Sequence, residues 1–401
     1  MWFHPIHTIL YGFLILAALV RAKDTVAVAF VDVKFDDKVA VWSLLLDDRY
    51  SRVVAITSGI NAHGQAAEEL NEYLDRQNGF QGSKRFNKRK LTILQGTNGL
   101  GKKAPHEEWW NGKQGIQIPE ANSANLQGLL HGSRVRIYQI APARWDLVQT
   151  VINSADANSI DMYMLLHGYN SGQENVQVQR WFLQNLQSWV TQTNPNAKVY
   201  FTSSFDSYPD KGGGKQPYSA IVHMFPQEDL DQAVRDPFWR GQLRKAERDL
   251  NMPKISVTDD QLDTAIYLAR MEPAQNANWR NYLAEYVQET LNQNSHMEGT
   301  SKALDRYRHT LLPEFTGENP VTVELADAGH IAALHRYQDS LKRGPQTPMW
   351  MQYIKFDDGS NDPGEKIKML QGNQWDHHGY LLQGANRDED LKYIERLAKI
   401  R

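Results

Sequence analysis

The chain contains no cysteine among its 401 residues. Disulfides are therefore excluded, and the fold must rest on packing, or on packing plus a bound ion. No Asn-x-Ser/Thr sequon occurs either, so N-glycosylation has no acceptor. Neither sign of charge is in excess: 44 Lys and Arg stand against 47 Asp and Glu, a formal net charge of −3. That balance supplies no global field for nucleic acid or for an anionic membrane. The one dense cationic run, SKRFNKRK at 83–90, reads as a solvated loop. Internal repeats and low-complexity linkers are missing. So are histidines at the regular spacing expected of a phosphatase-type metal hydrolase, since His377-His378 is a lone pair in a polar segment.

Long hydrophobic runs are scarce as well. Ile9–Val20, ILYGFLILAALV, is too short for a comfortable membrane span but fits the apolar centre of a signal peptide. Val20-Arg21-Ala22 supplies the small residues of a cleavage site. The expectation is a leader over 1–22, a mature chain beginning near Lys23, and a secreted or periplasmic protein. No stable membrane insertion is expected after cleavage.

What is present is an alternation. TVAVAFVDV reads as a buried strand and KVAVWSLLLDD as a helix; SRVVAITS and QAAEELNEYLDRQ repeat the pair, and LTILQG is a third strand. A Gly-, Asn- and Lys-rich stretch over 96–132, carrying Trp109-Trp110, reads as a long functional loop. VRIYQIAP, ARWDLVQTVINSA, IDMYMLLHG, VQRWFLQNLQSWV and AKVYFTSS then restore the alternation. This predicts an α/β fold with a mostly parallel central sheet and helices on both faces. From Pro226 to Thr310 the chain turns polar and helical, with no strong strand, and reads as a helical insertion over 226–310 in a single domain, 23–401. MWMQYIKFDD and EKIKMLQG read as a late strand pair before a final helix.

In sheets of this kind, sites form at the carboxyl ends of strands. Asp32, Asp36 and Asp37 fall there after the first strand, in AFVDVKFDDKVAVW. Three acids at the end of a buried strand are either a solvated, helix-capping cluster or the ligands of a cation. A dication would remove their mutual repulsion and orient a water that one of them could deprotonate.

The surrounding residues resemble the nucleoside hydrolases of the inosine-uridine preferring type. VDVKFDD is similar to their D-x-D-P-G-x-D-D signature, and VVAITSGINAHGQAAEELNEYL to the following strand–Asn–helix block. WNGKQGI resembles H-G-x-D-G-L, VRIYQIAPARWDLV the strand–G-P-L-T-N–helix segment, LLHGYN the M-G-G segment, and LADAGHIAAL the late H-D-A-L-A-V helix start. The resemblance implies a divergent, nucleoside-hydrolase-like fold and a calcium ion held by Asp32, Asp37, Asp327 and a backbone carbonyl near Arg144. It implies Asp36 as the general base on the bound water. Asn61 would hold the sugar, with Asn170, Glu174 and Asn175 as further ribose contacts. The implied reaction is hydrolysis of an N-glycosidic bond, ribonucleoside to ribose plus base, through an oxocarbenium-like sugar. The substrate class would be a small-molecule nucleoside or related glycoside, and a homo-oligomer is compatible with the chain. Trp109 and Trp110 either stack on a base or pack inside their loop.

Several positions depart from the family pattern. The first family aspartate is Phe30, and the Pro-Gly pair is Val33-Lys34, which brings a Cβ and a cation to a place where backbone approaches the site. The family histidine and aspartate of H-G-x-D-G are Asn111 and Gln114, and the histidine before the late ligand is Ala326. His63, His167 and His330 are the candidate replacements for a leaving-group acid; His330, three residues after Asp327, shares its helix face. Two functions stay open on these residues: a secreted calcium-dependent hydrolase, and a non-catalytic relative that binds a ligand or a protein partner.

Overall fold

The computed structural model of the chain describes residues 24–58, 64–96, 118–141, 143–156, 159–166, 182–194, 197–203, 215–217, 224–226, 229, 238–251, 254–271, 277–297, 304, 307–316, 322–342, 349–357, 368–371 and 379–399. They fall into two compact units. One is drawn from Met1–Gly79, Lys84–Gly214 and Leu325–Arg401, the other from Phe80–Ser83 and Lys215–Glu324.

The strands are β1 (Thr25–Val31), β2 (Arg52–Thr57), β3 (Leu91–Leu94), β4 (Arg134–Gln139), β5 (Ile160–Leu166), β6 (Lys198–Ser203), β7 (Lys215–Pro217), β8 (Thr322–Glu324), β9 (Trp350–Asp357), β10 (Lys368–Gln371) and β11 (Gly379–Gln383). The helices used below are α1 (Phe35–Leu46), α2 (Gly64–Gly79), α3 (Ser123–Leu130), α4 (Trp145–Asn153), α5 (Phe238–Asp249), α6 (Asp259–Met271), α7 (Ala277–Gln293), α8 (Ala326–Leu341) and α9 (Arg387–Ala398).

In the first unit nine strands form one sheet, in the order β10-β9-β11-β6-β5-β4-β1-β2-β3. Every neighbouring pair is parallel except those of β9 with β10 and with β11. The expected α/β architecture with a mostly parallel sheet is therefore the observed one. β1 lies between β4 and β2, which explains its composition: a strand covered on both faces needs apolar side chains on both. Val26, Val28 and Phe30 join Val54, Ile56, Val135 and Ile137 in a core covered by Leu126 and Leu130 of α3 and Val148 and Val151 of α4. Burying each such side chain contributes about 1.5–3 kcal/mol. The alternate residues of β4 face the other way, where Arg136 and Tyr138 meet Gln338 and His335 of α8. Helices thus cover both faces. On that second face a row of tyrosines crosses five neighbouring strands, with ring centroids 4.9 Å apart for Tyr138–Tyr163, 5.0 Å for Tyr163–Tyr200, 5.6 Å for Tyr200–Tyr380 and 5.5 Å for Tyr380–Tyr353. Register places each ring directly opposite the next.

The late segments do pair, β10 against β9. What periodicity did not announce is β11, which enters between β9 and β6. It begins with Gly379, where a Cβ would stand 2.8 Å from the carbonyl oxygen of Val199. A residue with no side chain is needed for that approach, and its lack of a side chain also hides the strand from pattern reading.

The second unit packs α5, α6 and α7 around Leu243, Ala246, Leu262, Ile266, Leu283, Val287 and Phe315. Within 226–310 no strand occurs among the described residues. β7 and β8 pair as an antiparallel ribbon. Inside the α5 region Arg244 donates to Glu247 and to the carbonyls of Ile255 and Val257, so its buried charge is matched and hydrogen-bonded. No helix among the described residues is long and apolar enough to cross a membrane.

Candidate cation site at the carboxyl edge of the sheet

The path β1–β2–β3 steps outward on one side of β1, and β4 returns to its other side. The chain therefore reverses direction across the sheet between β1 and β4, and loops leaving their carboxyl ends part to opposite faces. A crevice forms at such a point. The segment Asp32–Asp37 leaves β1 there, and the segment ending at Arg144 leaves β4 beside it.

The turn out of β1 is tight and strained. Val33 has φ 64°, a left-handed conformation that costs a β-branched residue on the order of 1–3 kcal/mol. It reverses the backbone so that two amides, Asp32 N–H and Lys34 N–H, donate to Oδ1 and Oδ2 of Asp37, each at 3.1 Å. Asp37 is the third residue of α1, and a carboxylate there reaching back to the N-cap amide is half of a capping box. The other half is missing, because Lys34 occupies the N-cap and its ammonium cannot accept a hydrogen bond.

Asp327 arrives from the other end of the chain. It lies in the first turn of α8, as Asp36 and Asp37 lie in the first turn of α1, so two helix N-termini bring their acids to one place. Asp36, Asp37 and Asp327 each offer a carboxylate oxygen within 4.8 Å of the others. Asp37 and Asp327 are buried, while Asp36 is half-buried. The positive ends of two helices favour anions here, but only in part. Burial, then the charges of Asp32 and Asp327 and a hydrogen bond with Asp32, push the Asp37 carboxyl well above its ordinary value, and Asp36 adds to this. Four acids thus converge, and their crowding is felt at Asp37. The donor set is all oxygen, and carboxylates of this number and spacing fit a hard dication.

Asp32 is not one of the three that close on a common point. Its Oδ2 lies 3.4 Å from Nζ of Lys34, whose side chain is half exposed. Arg144 is the N-cap of α4; its carbonyl accepts the amides of Leu147 and Val148, each at 3.2 Å, and its guanidinium lies 3.3 Å from Asp146. His330 is buried on α8, one turn beyond Asp327. Phe30, which stands where the family has its first aspartate, is fully buried in the core. Asn61, Asn170, Glu174, Asn175, His63, His167, Asn111, Gln114, Trp109, Trp110 and the leader lie outside the described residues.

Two polar groups at this edge were not anticipated. Ser58, just past β2, and Gln139, at the end of β4, are buried, and neither Ser58 Oγ nor Gln139 Oε1 has a hydrogen-bond partner among the described residues. They flank β1 on its two sides. A polar residue ending an otherwise apolar strand was the available signal for both.

No family model matches the chain, and no curated protein matches it. Among solved structures it is similar to an inosine-guanosine nucleoside hydrolase, with 9% identity, 93% of this chain and 98% of that chain covered, and a TM-score of 0.47. A purine-preferring ribonucleoside hydrolase from Gardnerella vaginalis gives 11% identity, 94% and 100% coverage and a TM-score of 0.44. A plant nucleoside hydrolase gives 8% identity, 94% and 100% coverage and a TM-score of 0.45. Likeness at this level says nothing of activity or substrate.

Proposed function

We propose that the chain is a cation-dependent hydrolase of N-glycosidic bonds acting on a ribonucleoside or a related small glycoside. The observation that carries this reading is the meeting of Asp36 and Asp37 with Asp327, some 290 residues apart in sequence, at the switch point of a parallel sheet. The sequence blocks that resemble the nucleoside hydrolases supply the reaction class.

In this reading Asp37 and Asp327 hold the ion, proposed to be calcium, with the Arg144 carbonyl as a further oxygen the resemblance supplies; Asp32, which the resemblance also supplies, is paired with Lys34. A bound dication would supply charge for the crowded carboxylates and a fixed position for a water and for sugar hydroxyls. Asp36 is the least buried member of the triad, so it is the one to take the proton from water at its carboxylate. The remaining acids stabilise positive charge on the sugar as the bond to the base breaks. Asn61, Asn170, Glu174 and Asn175 are proposed to orient the sugar, and export through the 1–22 leader is proposed with it.

The test is release of free base from a panel of purine and pyrimidine nucleosides by the purified mature chain, with calcium and with chelator. Chelator-sensitive release is expected. A second reading, a binding protein that keeps the ion without the reaction, is favoured by one observation: the Lys34–Asp32 pair at the rim of the triad. Calcium-dependent stabilisation without base release from any nucleoside would select it.

A further inference from the structure

We propose that Lys34 is a tethered counter-cation of the acid site: by holding Asp32 it keeps that carboxylate out of the ligand set and weakens the hold of the triad on a divalent ion. This rests on reading Asp36, Asp37 and Asp327 as a cation site.

Four observations place Lys34 in that role. Its ammonium lies 3.4 Å from Asp32 Oδ2, and the pair sits at the rim, with side chains 52% and 14% exposed. Its amide is fixed on Asp37, so the side chain leaves from a point pinned to the site. The left-handed Val33 turns residues 32 and 34 toward the same carboxylate. The nearby cations have other partners, Lys38 being bonded to Glu69 and Arg144 to Asp146. The three carboxylates that close on one point leave Asp32 out.

A positive charge this near an incoming dication opposes it, and removing the charge frees a fourth carboxylate to join. Lys34 thereby trades affinity for a preformed, partly neutralised site. It makes the ion exchangeable where four free acids would retain it.

The experiment is calorimetric titration of calcium chloride into the full chain and its variants, with circular dichroism checking each fold. Lys34→Met is expected to bind on the order of tenfold more tightly, which is about 1.4 kcal/mol. Lys34→Arg should match the parent, and high monovalent salt should shrink the difference. Asp32→Asn closes the cycle: it should cost little in the parent and on the order of tenfold when Lys34 is already Met. Should Lys34→Met fold poorly, Lys34→Gln carries the same comparison. Equal affinity in parent and Lys34→Met, with binding lost in Asp37→Asn, would overturn this proposal and leave the cation site standing. An equal cost of Asp32→Asn in both backgrounds would overturn it too. If no chain binds calcium, the site reading fails first and this proposal with it.

Discussion

Asp47 Oδ2 lies 3.1 Å from His335 Nδ1, and this contact joins the same two helices whose first turns carry Asp37 and Asp327. Asp47 caps the C-terminus of α1, and His335 sits two turns down α8 from Asp327. Carboxylates repel at one end of the helix pair, and an acid meets an imidazole at the other. Nε2 of the same ring lies 2.8 Å from the Tyr50 hydroxyl and 2.9 Å from that of Tyr138, so α8 is also tied to β4.

Acid should loosen that tie. Burial holds His335 below its ordinary value, with Arg49 and Arg136 acting the same way and Asp47 only partly opposing them. At neutral pH the ring is therefore uncharged. The unfolded chain takes the proton first as pH falls below about 6.5, so stability drops from there, by up to about 1.4 kcal/mol per pH unit. For Asp47 burial raises the pKa, but His335 and Arg49 outweigh it and hold the group well below the carboxylate range. A lowered acid contributes stability above its unfolded pKa and loses it as pH falls through the folded one, so the Asp47 loss comes later, below about pH 4. Urea midpoints measured from pH 7 to 5 should fall in the parent and fall less in His335→Gln; parallel curves would contradict the assignment.

Removing a charge from the crowded site should help the protein when no ion is present. Asp37→Asn in chelator is expected to raise stability by about 1 kcal/mol, since a buried like-charge contact disappears while one backbone amide can still be accepted. In excess calcium the order should reverse. Thermal melts of both proteins in both buffers make the comparison, and a loss of stability in chelator would argue that the acids are not crowded.

Asp36 should matter for rate more than for the ion. Asp36→Asn is expected to lower base release by about 10²–10⁴ and to weaken calcium binding less than Asp37→Asn does. Full activity in Asp36→Asn would assign the proton to another group.

Gly379→Ala should destabilise the first unit by about 1–3 kcal/mol, because the new methyl would press on the Val199 carbonyl and the Phe201 ring. Denaturant melts would show it, and a neutral result would mean β11 can shift away from β6.

Much of the fold was legible because its signals are local. A short, unbroken apolar run rich in Val, such as Val26–Val31, reads as a strand covered on both faces, and the acids after it then stand at the sheet edge. β9 and β10 were legible for a similar reason, each being long or apolar enough to read alone. The sequence by itself determined the alternation of strands and helices, the absence of disulfides, and the placing of Asp32, Asp36 and Asp37 at one strand end. Tertiary structure alone decided which partners those acids meet. That β4 lands on the far side of β1 and that α8 brings Asp327 rather than another acid to Asp36 and Asp37 depend on packing between segments far apart in the chain, while the turn at Val33 sets Asp32 against Lys34. Periodicity reports how a residue sits on its own helix or strand, over a few residues. Which carboxylate oxygens end within 4.8 Å of one another is set by how those elements are stacked, and by a left-handed turn at Val33 that the preference of a β-branched residue argues against.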